Sequence, residues 1–178
     1  MSDRCVRSNL RRPLLGVAVA LALSTLAQSA GAQVQSLTAG EAGDRIRYDT
    51  GARVVLLYST TCRYSHQMFP EVVRLSQRYG PLGVRFLAFN IDRTSDDVDA
   101  YLTSVGYLFN RLHILPWRPG ELVAAMAPSG IDVRGHFGTP LIAVIDAHGQ
   151  LVGQETGASG ARRADRWLQS LGFRPAVD

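Results

Sequence analysis

Lysine is absent from the 178-residue chain, and cysteine nearly so, since only Cys5 and Cys62 occur. The missing lysine points to no mechanism, whereas the shortage of cysteine excludes a small scaffold held together by several disulfides. Long apolar runs are also lacking. The most apolar stretch, over 14–26, is shorter than the stretch of roughly 20 residues that a membrane-spanning helix needs.

The N-terminal segment 1–32 has the pattern of a signal peptide rather than of a folded segment. Four arginines between Arg4 and Arg12 precede the apolar stretch, and Ala30-Gly31-Ala32 supplies small residues where signal peptidase cleaves. The sequence therefore predicts a signal peptide over 1–32 and one mature domain over 33–178. We expect a periplasmic location, with no stable membrane insertion after cleavage.

The charge of the predicted mature chain argues against a nucleic-acid partner. The segment 1–32 carries four of the 19 arginines and one of the 15 acidic residues, so most of the formal charge of +4 belongs to the leader. A nearly neutral domain offers no electrostatic basis for binding nucleic acid. Its length fits a single domain with a normal core, so no disulfide is needed for stability, and a lone exported thiol calls for a chemical explanation.

That thiol, Cys62, lies where an apolar strand gives way to a helix. The segment 54–58 is continuously apolar, and helical spacing follows Cys62. The unpaired N–H groups and the dipole of a helix start both favour thiolate over thiol. Cys62 is thus a candidate nucleophile, but Ser65 stands where the second cysteine of a C-x-x-C pair would be.

The remaining pattern predicts an α/β domain. Helical spacing with Pro70 inside is followed by a second apolar strand, which makes a right-handed unit with parallel strands. Helices are expected over 38–49, from Cys62 to Tyr79, over 95–104 with Ser95 as N-cap, near 121–127 (a short one) and over 159–171. Strands are expected over 53–58, 84–91, 141–146 and 150–155, and the last two should form an antiparallel hairpin. Apart from the short helix near 121–127, the span 107–138 shows no clear helix or strand pattern.

This order resembles the thioredoxin fold, particularly the exported TlpA and ResA type, over about residues 36–173. Members of that group commonly show C-x-x-C followed five residues later by proline, and Cys62 and Pro70 keep that spacing. Thr139-Pro140 before the hairpin adds to the resemblance. It implies a thioredoxin-like fold, with a central mixed β-sheet flanked by helices and a C-terminal hairpin and helix. It also implies a cis bond before Pro140, beside Cys62, with the backbone at Thr139 free to pair with substrate.

Three departures from the thioredoxin pattern decide the predicted mechanism. A Ser65 hydroxyl cannot attack a mixed disulfide as a second thiol does. The buried acid usual six residues before the first cysteine is Leu56 here, and the aromatic residue usual just before that cysteine is Thr61. Cys62 can start an exchange but cannot finish it alone.

The first hypothesis is a monothiol exchanger without a cofactor, whose partners are protein or small-molecule thiols and disulfides. Cys62 attacks, Ser65 donates a hydrogen bond to its sulfur, and Arg63 adds positive charge. Tyr64, His66, Thr139 and Pro140 complete the expected substrate surface, with His66 at the rim of the thiol pocket. Cys62 and Ser65 are the candidate catalytic residues.

Other interpretations remain open. The domain can be a redox-inactive module that binds protein or peptide in a groove lined by Tyr64, Trp117 and Phe137. Cys62 and His66 lie one helical turn apart and suit copper or zinc, with His113, His136 or His148 as a third ligand, although two ligands make a weak metal signal. Ser59 has the spacing of a peroxidatic site, but Val55 replaces its proline. An inert buried cysteine is the remaining alternative.

Overall fold

A six-stranded mixed sheet lies at the centre of the computed structural model, which describes residues 34–107, 110–135 and 140–175. The predicted signal peptide lies outside the described residues. Among those described, no helix has the length and apolar content that crossing a membrane requires. In chain order the elements are β1 (Gln35–Leu37), α1 (Ala39–Tyr48), β2 (Arg53–Tyr58), α2 (Arg63–Tyr79), β3 (Arg85–Asn90), α3 (Val98–Ser104), β4 (Asn110–Ile114), α4 (Pro119–Met126), β5 (Leu141–Ile145), β6 (Leu151–Thr156) and α5 (Gly160–Ser170).

The sheet order is β1-β4-β3-β2-β5-β6. The first four of these strands run parallel, β5 pairs antiparallel with β2, and β6 pairs antiparallel with β5. The predicted parallel unit and the C-terminal hairpin are therefore confirmed. The carboxyl ends of β2, β3 and β4 meet at one edge of the sheet, where the loop to α2 emerges.

Helices cover both faces of this sheet, which explains why β2 is apolar along its whole length. Val54, Leu56 and Tyr58 belong to the core formed with α2, α3 and α5. Val55 and Leu57 point to the opposite core, formed with α1 and α4. Successive strand residues alternate between faces, so a central strand needs an apolar residue at every position.

The structure confirms the N-terminal cap predicted for α1 and the helical spacing of apolar residues predicted for α2. Glu41 accepts a hydrogen bond from the Thr38 N–H at 2.7 Å, and Thr38 Oγ1 accepts one from the Glu41 N–H at 3.2 Å. This reciprocal capping box starts α1. Helix α2 buries Met68, Val72, Leu75 and Tyr79 on one face and ends at Gly80, with Pro70 inside it.

Two sequence predictions need correction in the next stretch. Helix α3 begins at Val98, not after a Ser95 cap, because the segment 95–98 forms a turn in which the Val98 N–H donates to the Ser95 carbonyl. The span from Tyr107 is also more regular than its pattern indicates. It contains strand β4, which the sequence pattern does not predict and whose Arg111 and His113 are buried, whereas helix α4 confirms the short helix predicted near 121–127. No signal in the sequence marks the short strand β1.

Candidate active site

Cys62 is the N-cap residue of α2, directly after the loop 59–61 that follows β2. Its backbone is extended, its N–H donates to the Ser59 carbonyl at 3.3 Å, and its carbonyl accepts from the His66 N–H at 3.2 Å. The side chain is a free thiol, partly exposed, and makes no capping hydrogen bond. Cys62 therefore lies at the positive end of a 17-residue helix and is partly exposed as a residue.

Ser65 serves the backbone rather than the sulfur. Its side chain is fully buried, and Oγ accepts a hydrogen bond from the Ser59 N–H at 3.3 Å. Within the described residues no hydrogen bond joins Ser65 to Cys62. The expected donation to the sulfur is thus replaced by a tie between the first turn of α2 and the end of β2.

Arg63 and Tyr64 both lie exposed next to Cys62. The Arg63 guanidinium carbon is 5.8 Å from the centre of the Tyr64 ring, and Tyr64 keeps 46% of its surface accessible. A guanidinium at that distance has the geometry of a cation–π pair. Together these side chains offer an approaching partner an aromatic face and a positive charge.

His66 is fixed on the other side of the first helical turn. Its Nε2 lies 2.7 Å from the Thr60 carbonyl oxygen. A carbonyl oxygen only accepts hydrogen bonds, so Nε2 carries the proton. The ring stands edge-on to Tyr101, with centres 4.8 Å apart. This bond joins the first turn of α2 to the loop before Cys62.

Asp92 is a site residue that sequence reasoning missed. It follows β3, and its Oδ2 accepts three hydrogen bonds: from the Thr60 N–H at 2.8 Å, the Thr60 hydroxyl at 2.6 Å and the Asn90 side-chain amide at 2.9 Å. Partial burial raises the pKa of Asp92, but hydrogen bonds from Asn90, Ser59 and Thr60 outweigh it and hold the pKa below its ordinary value. A carboxylate thus clamps the loop before Cys62.

A sequence signal for Asp92 did exist. Asn90 ends strand β3, which is parallel to β2, and Asp92 follows it after one residue; ligand-facing groups gather at the carboxyl ends of such strands. Asn90 is fully buried and its Oδ1 lies 2.9 Å from His113 Nδ1. Burial lowers the pKa of His113, whereas the electrostatic interaction with Asp92 acts to raise it. The polar network thus crosses three strand ends.

Two buried tyrosines lie behind this loop. Tyr58 and Tyr101 stack with centres 6.0 Å apart, and neither hydroxyl has a hydrogen-bond partner in the part of the chain that is described. Burial raises the pKa of Tyr101, and electrostatic interactions with Cys62 and Asp92 raise it further. The phenol therefore stays protonated, and its environment places Cys62 and Asp92 close to the same ring.

Three predicted site residues lie outside the described residues: Thr139 of the substrate surface, with its predicted cis bond to Pro140, Phe137 of the alternative groove, and the possible metal ligand His136. Pro140 is described and buried, and its carbonyl accepts from the Gly157 N–H at 2.8 Å. Strand β5 begins with Leu141 opposite Leu57. Continuing that register places Pro140 beside Tyr58, at the sheet edge from which the Cys62 loop emerges.

The histidines proposed as metal ligands are dispersed. His113 is buried in β4 and bonded to Asn90, and His148 lies in the turn between β5 and β6. Among residues 34–107, 110–135 and 140–175, no three His, Cys, Asp or Glu side chains are grouped to hold a metal ion.

A cavity of about 720 Å³ opens beside the loop that carries Cys62. Ser59, Thr60 and Thr61 form one wall, and Asp92 and Arg93 form the next. Trp117 lies across from them, half-buried, with its indole N–H donating to the Ile91 carbonyl at 3.3 Å. Neither Tyr64 nor Pro140 lines this cavity, so the predicted groove of Tyr64, Trp117 and Phe137 stays a prediction, and Trp117 also packs against the core.

Comparison with solved structures decides the architecture. A thiol:disulfide interchange protein of the thioredoxin family from Chlorobium tepidum superposes with a TM-score of 0.56 at 22% identity, covering 72% of this chain and 83% of its own. The chain has a thioredoxin-like fold. In this chain the fold consists of the six-stranded mixed sheet with helices on both faces and a C-terminal hairpin.

Two further thioredoxin-like structures agree. A secreted Mycobacterium tuberculosis disulfide oxidoreductase homologous to E. coli DsbE has a TM-score of 0.54 at 11% identity and covers 71% of this chain and 98% of its own. The thioredoxin domain of a Bacteroides vulgatus thiol-disulfide oxidoreductase has a TM-score of 0.52 at 13% identity, covering 70% and 82%. No family model matches the sequence, and comparison with curated proteins gives no match. At these identities the likeness establishes the fold, and the chemistry is argued from Cys62 and its surroundings.

Proposed function

We propose that this protein takes part in thiol–disulfide exchange through Cys62 alone and depends on an external thiol to complete each turnover. The observation that carries the proposal is a partly exposed free thiol at the N-cap of α2, with a fully buried Ser65 at the position of a second thiol. Helix N-termini favour the thiolate, which is the reacting species. The solved thiol:disulfide interchange proteins that share the fold support the same chemistry.

The reaction has two steps that balance without an added oxidant. The Cys62 thiolate attacks one sulfur of a disulfide, forms a mixed disulfide and displaces the other sulfur as thiolate. An external thiolate then attacks the substrate sulfur of the mixed disulfide, forms a new S–S bond and returns the electron pair to Cys62. Ser65 cannot perform the second step, since a hydroxyl does no disulfide chemistry.

A mass measurement tests this mechanism. In a Cys5→Ala background, Cys62 is the sole thiol of the chain. Incubation with a small disulfide should add one half of that disulfide to the folded protein, and an added thiol should restore the original mass. Cys62→Ser is the control. A protein that gains no adduct when folded, but gains one when unfolded, contradicts the proposal.

We extend the proposal to the location and subfamily that the sequence predicts. The leader pattern of residues 1–32 supports export to the periplasm, and one neighbour in fold is a secreted disulfide oxidoreductase. The spacing of Cys62 and Pro70 supports a TlpA- or ResA-like protein with C-x-x-S. The N-terminus of the exported protein, read by mass spectrometry, should lie near Gln33, and an uncleaved leader contradicts this part.

A redox-inactive binding module is the second candidate, and exposed Tyr64 beside Arg63 is the observation in its favour. An accessible aromatic and a cation together suit recognition of a protein or peptide. Cys62→Ala separates the two functions, because it abolishes exchange and spares binding. Client capture that survives Cys62→Ala, in a protein whose thiol forms no adduct, favours the binding module.

A further inference from the structure

The cavity beside the Cys62 loop is placed to hold a small reactant. Thr61, which lines it, is the chain neighbour of Cys62, and the far wall comes from the ends of β3 and β4. Its volume of about 720 Å³ lies within the usual range of ligand pockets, about 300 to 1,000 Å³. Cys62 does not itself line the cavity, and Thr61 brings the cavity wall within one residue of the site of a Cys62 adduct.

The inner wall of this cavity carries a fixed negative charge. Asp92 is half-buried, and the donors that anchor it come from Thr60 and Asn90, all onto Oδ2. None of these donors carries a positive charge. Ser59, which also contributes a hydrogen bond that lowers the pKa of Asp92, is uncharged as well, so no cation among the described residues forms an ion pair with this carboxylate. An ammonium is the donor that gains most at such a site.

The rim adds charges of both signs. Arg93 and Asp97 line the opening, both are exposed, and neither forms an ion pair with another described residue. Asp97 reinforces the attraction for an ammonium, while Arg93 suits a carboxylate. The apolar surface of Trp117 and Pro116 fits a short aliphatic stem. The chemical complement is a small zwitterion.

We propose that this cavity binds the resolving thiol, and that this thiol is a small aminothiol of amino-acid type, whose ammonium meets Asp92 and whose carboxylate meets Arg93. The inference rests on the proposed function, because it names the external reactant of the second step. The bound thiolate attacks the substrate sulfur of the Cys62 mixed disulfide, a new S–S bond forms between thiol and substrate, and Cys62 leaves as thiolate. No further oxidant or reductant takes part.

The test measures how fast different thiols clear a defined adduct. Methyl methanethiosulfonate converts Cys62, in the Cys5→Ala protein, to its methylthio adduct, and intact mass follows the return to the free thiol. The probes are cysteine, cysteamine, 3-mercaptopropionate and 2-mercaptoethanol. Each rate is divided by the rate of the same thiol on the adduct of the urea-unfolded protein, which removes differences in intrinsic reactivity.

The folded protein should favour the two ammonium-bearing thiols over 2-mercaptoethanol by about tenfold, as expected for a hydrogen bond to a charged group. Asp92→Asn should abolish that preference, whereas Asp44→Asn, a matched change on the exposed side of α1, should keep it. Arg93→Gln should remove only the advantage of cysteine over cysteamine, and it tests the site without touching the loop clamp.

Equal normalised rates for all four thiols overturn the inference, and so does a preference that Asp92→Asn and Arg93→Gln leave unchanged. In both cases the adduct has formed, so the proposed exchange through Cys62 still stands. Failure to form the adduct in the folded protein overturns the exchange reaction itself, and the inference with it.

Discussion

The hydroxyl oxygen of Ser65 accepts a hydrogen bond from the backbone N–H of Ser59 at 3.3 Å. This contact ties the first turn of α2 to the residue that follows β2, and Ser65 is fully buried while it does so. The position that holds the second thiol in a dithiol enzyme is therefore a structural position in this chain. Cys62 is left as the only group at the helix start that can react with a disulfide.

Ser65→Ala should destabilise the fold without silencing the thiol. Removal of one buried hydrogen bond costs about 1 kcal/mol in the free energy of unfolding. Denaturant unfolding measures this loss, and Ser104→Ala, which removes a hydroxyl bonded within its own helix on an exposed residue, is the matched control. The alkylation rate of Cys62 should stay close to that of the wild type. A large drop in that rate would instead assign Ser65 a direct role at the sulfur.

Ser65→Cys should restore an internal resolving thiol. Residues three apart at a helix start share a face, so Cys62 and a cysteine at 65 are neighbours. In the Cys5→Ala background, mild oxidation should give a monomer lighter than the reduced protein by two hydrogen atoms, and an adduct on Cys62 should clear without added thiol. Two persistent free thiols under oxidising conditions would show that the helix start does not permit the pair.

Tyr107→Phe should lower the free energy of unfolding, whereas Tyr101→Phe should not. The Tyr101 hydroxyl is buried without a partner among the described residues, so its removal should leave the free energy of unfolding unchanged or raise it. The Tyr107 hydroxyl donates to the Phe86 carbonyl at 3.2 Å. Loss of that bond should cost about 1 kcal/mol. Urea titration of both variants checks the signs. A clear loss of stability on Tyr101→Phe would contradict the absence of a hydrogen-bond partner for that hydroxyl.

Asp92 should make stability depend on acid pH. Its folded pKa lies below the ordinary value, because burial, which raises the pKa, is outweighed by the hydrogen bonds from Asn90, Ser59 and Thr60. The carboxylate therefore contributes stability that is fully present above the unfolded pKa and is lost as pH falls through the folded pKa. The difference in unfolding free energy between wild type and Asp92→Asn should be largest near neutral pH and shrink below about pH 4. A difference independent of pH would contradict the clamp.

The sequence predicts those helices and strands whose signals lie within a few neighbouring residues. Continuous apolar residues mark β2, and the capping box at Thr38 and Glu41 marks α1, because each signal lies within a few residues. Strand β4 escapes prediction since its polar residues find partners elsewhere: Arg111 bonds to Asp99 and the Tyr107 carbonyl, and His113 bonds to Asn90. Because these buried polar residues find their partners outside the strand, β4 shows no regular alternation of apolar and polar residues in the sequence.

The candidate site also has one part that local sequence signals predict and another part that depends on tertiary packing. Cys62 at a helix start follows from the strand before it and the helical spacing after it, so the thiol is found from sequence. The clamp from Asp92 to Thr60 joins residues 32 positions apart, and only the pairing of β2 with β3 brings them together. The burial of Ser65, and with it the use of its hydroxyl, also depends on that packing.

Titration of the native thiol with 5,5′-dithiobis(2-nitrobenzoate) tests the account most directly. In the Cys5→Ala protein we expect rapid release of one equivalent of thionitrobenzoate per folded chain, a matching adduct on Cys62, and no release from Cys62→Ala. Release that appears only after unfolding would show a sealed, unreactive cysteine, and the exchange reaction proposed for this thioredoxin-like protein would be wrong.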